Sequence, residues 1–103
     1  MRVYVAGPYS GGDVALNVRR AILAGETLLA RGHSPYIPHL THFWQLLVPH
    51  AYEVWLEQDL VWLEQCEAVL RLSGESLGAD REVAIARLRG IPVYDSLVDM
   101  ARQ

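Results

Sequence analysis

Val3-Tyr4-Val5-Ala6 is the first of four short apolar, β-prone runs along the chain, and it ends in a turn-rich loop, Gly7-Pro8-Tyr9-Ser10-Gly11-Gly12. Asp13 is placed to cap a helix on which Val14, Val18, Ala21, Ile22, Gly25, Leu28 and Leu29 recur at helical spacing, and Gly32 stops that helix. His33 to Ile37 reads as a second short strand, closed by Pro38, and Pro38 to Pro49 is a looser stretch. A second strong helix is predicted from about Ala51 to Gln65, and a third strand from Ala68 to Leu72. A third helix follows from about Leu77 to Arg89, with Gly90 at its end. Ile91-Pro92-Val93-Tyr94 makes a fourth strand, and a short C-terminal helix completes the pattern.

This alternation of strand and helix predicts an α/β fold: a three-layer α/β/α sandwich on a four- to five-stranded parallel, flavodoxin- or Rossmann-like sheet. Each strand–helix–strand unit implies parallel pairing through a right-handed crossover. The expected strand order, 2-1-3-4, sets the ends of strands one and three side by side where the order reverses. The loop from Gly7 to Gly12 and the segment from Ser73 to Glu82 then face each other across one crevice, the place where ligands sit in open α/β sheets.

A length of 103 residues is expected to form a single domain spanning 1–103, with about half its residues apolar and a thin core. The net charge of −3 supplies no basic patch, so no nucleic-acid partner is expected. All nine cationic side chains are arginine, which excludes Schiff-base chemistry and a P-loop lysine together. Cys66 is the single cysteine, so neither a disulfide framework nor a cysteine zinc site is expected. The opening Met-Arg-Val-Tyr-Val-Ala-Gly carries no signal peptide, and no apolar run is long enough to span a bilayer, so the expectation is a cytoplasmic protein without membrane contact.

Glu82 is the first candidate for chemistry. It lies in the opening turns of the third helix, with Gly78 and Ala79 leaving space beside it. An acid there either favours the helix dipole or faces a ligand. Asp59 shares a helix face with Trp55, Trp62, Leu63 and Cys66, where an acid is costly unless it is paired or used. It either reaches a backbone amide or an arginine at the rim, or works as an acid of raised pKa. Ser76 suits an N-cap, or a hydroxyl aimed at a ligand hydroxyl or phosphate. Tyr4 packs in the core or reaches the crevice floor. Gly7, Pro8, Tyr9 and Ser10 form a loop that either approaches a ligand with its backbone or merely turns. His39 and His42 have three-residue spacing and give only a weak metal signal, so no metal is expected. Phe43, Trp44 and Trp55 read as core or subunit-contact residues, or as an aromatic lid over a heterocycle.

The stretches Val3 to Pro8, Gln58 to Val69, Ser76 to Glu82 and Gly90 to Val93 together resemble the nucleoside 2-deoxyribosyltransferase superfamily, which includes the 2′-deoxynucleoside 5′-phosphate N-hydrolases. The resemblance implies that Glu82 is the nucleophile for the anomeric carbon, that Tyr4 orients it, and that Asp59 helps protonate the departing base. It also implies substrate contacts from Gly7, Pro8, Tyr9, Ser10, Ser76 and Gly78. The N-hydrolases use a serine at the position of Ser76 on the 5′-phosphate, which tilts the implied substrate toward a nucleotide. Ser10, however, stands where those enzymes carry an arginine. The implied activity is cleavage or transfer of an N-glycosidic bond in a nucleoside or its 5′-monophosphate, through a covalent glycosyl-glutamate and without a cofactor. A homodimer is expected from the apolar surface of the Trp55/Trp62 helix.

Two other readings remain open at this stage. The chain is a non-catalytic nucleotide- or nucleotide-sugar-binding module on the same fold, or it is a small structural domain in which Asp59 and Glu82 make ion pairs with Arg71 or Arg81.

Overall fold

The computed structural model describes residues 1–101; the last two residues of the predicted C-terminal segment lie outside the described residues. Four strands form one parallel sheet in the order β2-β1-β3-β4: β1 Arg2–Ala6, β2 Ser34–Tyr36, β3 Ala68–Arg71 and β4 Val93–Tyr94. The order and direction are those the alternation predicts.

Period-two patterning on β1 divides the core. Val3 and Val5 face one side, where α1 (Val14–Ala30) contributes Ala21, Ala24 and Leu28 and α5 (Leu97–Ala101) contributes Met100. Tyr4 and Ala6 face the other side, against Leu63 of α3 (Tyr52–Leu63) and Ala79 and Ala86 of α4 (Leu77–Leu88). Helices therefore cover both faces, which is what an all-parallel sheet requires. Gly25 permits the close seating of α1 on β2, since a Cβ there would fall 2.3 Å from Ile37 Cδ1. Ile22 and Leu29, placed on the buried stripe by spacing alone, are exposed at its edge.

The caps match the sequence. Asp13 accepts from the Leu16 N–H at 3.2 Å to start α1, and Ser76 accepts from the Ala79 N–H at 3.1 Å to start α4. The stretch after Pro38 differs from expectation: it is a 3₁₀ turn, Pro38–Thr41, running into a short helix, α2, His42–Leu47. Pro38 begins that turn because its missing N–H costs nothing at a helix start. Phe43 and Trp44 do not enter the core; Phe43 is 70% exposed and Trp62 of α3 is 48% exposed. Among the described residues, no helix is long and apolar enough to cross a membrane.

Candidate active site

The C-terminal ends of β1 and β3 open into a cavity of about 870 Å³. One wall is the β1–α1 loop with Gly7, Tyr9 and Ser10, and the opposite wall is the start of α4 with Ser76, Gly78 and Glu82. The roof comes from α2 and α3, including Asp59. The crevice geometry thus follows from the strand order.

Glu82 is only 8% exposed. Burial pushes its carboxyl up to about 8. The Tyr4 hydroxyl donates to Glu82 Oε2, which opposes that rise because a donor favours the ionised form. Tyr4 has no exposed surface and lies beneath the cavity rather than in its lining. Asp59 enters the same cavity from α3, and burial raises it to about 6. Its partner is Tyr36, whose hydroxyl donates to Asp59 Oδ1 at 3.4 Å and acts to lower that pKa. Neither a backbone amide nor an arginine takes the Asp59 carboxylate among the described residues, and no arginine pairs with Glu82. Arg71 instead pairs with Asp80 at 3.0 Å and donates to the Leu72 and Gly74 carbonyls. The ion pairs of the purely structural reading are therefore not formed.

Tyr36 is a site residue the sequence reading missed. It stands opposite Tyr4 in the β1–β2 register, and the two rings stack with centroids 5.5 Å apart. On its other side Tyr36 stacks on Trp62 at 5.7 Å. Burial, followed by the charge of Asp59, pushes its own hydroxyl up to about 12, so it remains a proton donor throughout the useful pH range. The predicted strand order makes the first two strands neighbours, but the register that sets residues 4 and 36 side by side on the α3 face is fixed only in the folded sheet.

The loop residues have separate jobs. Asn17 of α1 donates to the carbonyls of Tyr9 at 2.8 Å and Gly11 at 2.7 Å, fixing the loop from below. Pro8 is buried behind the lining, where its carbonyl accepts from His39 Nε2 at 2.9 Å. His39 is 4% exposed; burial lowers its pKa, and its Nδ1 has no partner. His42 Nδ1 is hydrogen-bonded to the Tyr9 hydroxyl at 2.6 Å. The two histidines thus brace the β1–α1 loop against the 3₁₀ turn and α2. No group of three or more metal-ligating side chains is assembled among the described residues. Ser76 lines the cavity while one lone pair of its Oγ serves the helix cap, so its hydroxyl proton and one lone pair are left for a ligand. A Cβ at Gly78 would lie 3.3 Å from the Tyr52 hydroxyl, which shows how closely α3 and α4 approach at the cavity mouth.

Chemically, the cavity offers one deeply buried carboxylate oriented by a phenol and a second acid held at a pKa suited to giving up a proton near neutrality.

A family model described as domain of unknown function, DUF7768, matches residues 1–96. No curated protein matches the sequence. Among solved structures, the fold is similar to that of a 2-deoxyribosyltransferase from the psychrotolerant bacterium Bacillus psychrosaccharolyticus, with a TM-score of 0.68 and 16% identity, over 90% of this chain and 69% of that one. At that identity the likeness is one of fold.

Proposed function

The chain belongs to the DUF7768 family, a domain of unknown function, and we propose that this member cleaves or transfers the N-glycosidic bond of a nucleoside or its 5′-monophosphate. The observation that carries the reading is the Tyr4 hydroxyl donating to the buried Glu82 carboxylate in the cavity that Asp59 also enters. The fold it shares with a 2-deoxyribosyltransferase supports glycosyl transfer as the general chemistry.

In this reading the Glu82 carboxylate attacks the anomeric carbon. The C–N bond breaks, its electron pair goes to the base nitrogen, and Asp59 supplies the proton that lets the base leave. Positive charge building on the sugar is stabilised by the same carboxylate. Water or a second base then displaces Glu82 from the resulting glycosyl ester, with overall retention. Productive enzyme therefore has Glu82 ionised and Asp59 protonated. With burial placing Glu82 at about 8 and Asp59 at about 6, that form is a minority at any pH and is most abundant about pH 7, midway between them. Charge building on the sugar draws Glu82 toward its ionised form during reaction.

The charges around the cavity favour an uncharged nucleoside over its monophosphate. Glu53, Glu75 and Glu82 line it as carboxylates while Asp59 carries its proton, against Arg81 as the one arginine of the lining among the described residues. The same reading includes self-association through the exposed apolar surface of α2 and α3, where Phe43, Leu47, Val61 and Trp62 stand uncovered.

Incubation with deoxy- and ribonucleosides and their 5′-monophosphates, with free base followed by chromatography, tests the proposal. Base release that disappears in Glu82→Ala supports it. Release that survives the substitution removes Glu82 from the mechanism, and binding without product selects the non-catalytic module instead.

A further inference from the structure

Gln45 lies on α2 and lines the cavity. Its amide oxygen accepts two hydrogen bonds, one from the backbone N–H of His50 at 2.9 Å and one from the Trp55 indole N–H at 2.5 Å. Both partners are donors with no accepting capacity, so a flipped amide would set N–H against N–H. The neighbours thereby fix which way this amide faces. Its nitrogen has no protein acceptor among the described residues, and it is not sealed away, since His39 Nδ1 is the one fully buried side-chain nitrogen or oxygen left without a partner among those residues. Gln45 therefore presents two N–H donors and no acceptor.

The location matters as much as the polarity. Trp55 and Asp59 are four residues apart on α3 and both line the cavity, so Trp55 lies just over one helical turn, ~6 Å along the axis, from the acid. That span is comparable to a nucleobase. A base whose glycosidic nitrogen is next to Asp59 and which lies along α3 toward its start brings its far edge to Trp55 and Gln45.

We propose that Gln45 reads the far edge of the base and selects those that carry an oxo group there (uracil, thymine, hypoxanthine, guanine) over those that carry an amino group (cytosine, adenine). The inference rests on the glycosidase reading for the placement of the base. An oxo group accepts from the Gln45 amide, whereas an amino group brings donor against donor and offers the amide only the neighbouring ring nitrogen. The expected discrimination is roughly 10- to 100-fold. Trp55 and His50 act as positioning residues, since they set the amide and need not touch the base.

The test uses substrate pairs that differ only at that edge: uridine with cytidine and inosine with adenosine, in both ribo and deoxy series. Binding of the free bases, hypoxanthine against adenine and uracil against cytosine, is measured in parallel by calorimetry. The wild type should favour the oxo member of each pair. Gln45→Glu should reverse the preference, because a carboxylate keeps accepting from His50 and Trp55 while offering the ligand an acceptor. Glu82-dependent release with equal rates for both members overturns the Gln45 assignment and leaves the glycosidase reading standing. No release from any substrate removes that reading, and the binding arm then decides: a contrast that Gln45→Glu reverses retains the assignment, and equal binding overturns it. A thermal melt checks that the variant folds; if it does not, an absent contrast in wild-type base binding still overturns the proposal and a present one supports it.

Discussion

Tyr4 and Tyr36 face each other across the parallel register of β1 and β2, stacked at 5.5 Å, yet their hydroxyls serve different acids: Tyr4 donates to Glu82 and Tyr36 to Asp59. Two adjacent strands thus hold two carboxylates that come from two different helices. The stacked rings also give the hydroxyls a stiff base, since each ring is fixed by its neighbour and Trp62 closes the column.

Tyr4→Phe keeps the ring and its stacking but removes the donor to Glu82. A hydrogen bond to a charged group contributes about 1.5–3 kcal/mol, so kcat/KM for base release should fall roughly 10- to 100-fold. Glu82 should also become harder to ionise, which lowers the plateau of the pH–rate profile and moves its basic limb, set by the higher of the two pKa values, to higher pH. A profile unchanged in both height and position would detach Tyr4 from the chemistry.

Tyr36→Phe acts on the other acid. The Tyr36 hydroxyl lowers the Asp59 pKa, so its removal should let that pKa rise above about 6. Because Asp59 must be protonated to act and has the lower of the two pKa values, the acidic limb should bend at higher pH and more of the enzyme should be productive, with kcat within about tenfold of wild type. An acidic bend that stays put while activity drops would mean that Tyr36 only supports packing.

Glu82→Gln should change how stability responds to pH. Burial raises the folded pKa of Glu82 from 4.5 to about 8, so between those values the native state holds a proton that the unfolded chain releases. This contribution is fully present below about pH 4.5 and lost as pH rises through 8, at about 1.4 kcal/mol per pH unit within the window. Glutamine has no such proton to lose. The variant's melting temperature should therefore gain on the wild type steadily from pH 5 to pH 8, and parallel curves would contradict the burial argument.

Nucleosides should be cleaved in preference to their 5′-monophosphates. A phosphate would enter a cavity whose lining, with Asp59 protonated, holds three carboxylates against one arginine among the described residues. Arg81→Ala should widen the preference by removing the cation, which stands 6.0 Å from the Tyr52 ring at the cavity mouth. KM for both substrate classes at two salt concentrations measures this. A lower KM for the monophosphate would show that the arginine outweighs the acids.

Gly74→Ala should destabilise the protein by about 1–3 kcal/mol. Gly74 has φ of +116°, and a Cβ there would fall 2.9 Å from Cγ of the stiff Pro8 ring. Gly11→Ala is the control, because nothing lies within 4 Å of its added Cβ. Denaturant melts of the two variants make the comparison, and equal midpoints would refute it.

The alternation of apolar runs in this sequence determined the sheet order, the two helix layers and the caps at Asp13 and Ser76, because each depends on residues a few positions apart or on the handedness of a crossover. It also placed Glu82 at the rim of the crevice, since a helix start after a strand fixes that location locally. Which groups meet there was decided by tertiary structure. Tyr4 reaches Glu82 across 78 positions of sequence, and nothing local distinguishes a phenol that packs from one that donates. Composition left Arg71 and Arg81 as partners for either acid, but the fold committed Arg71 to Asp80 and two loop carbonyls. The exposed aromatics of α2 were equally ambiguous, because apolar residues in a six-residue helix show no face until something packs against it. The fold of this chain is written in short-range periodicity, whereas its polar partnerships depend on side chains that only folding brings together.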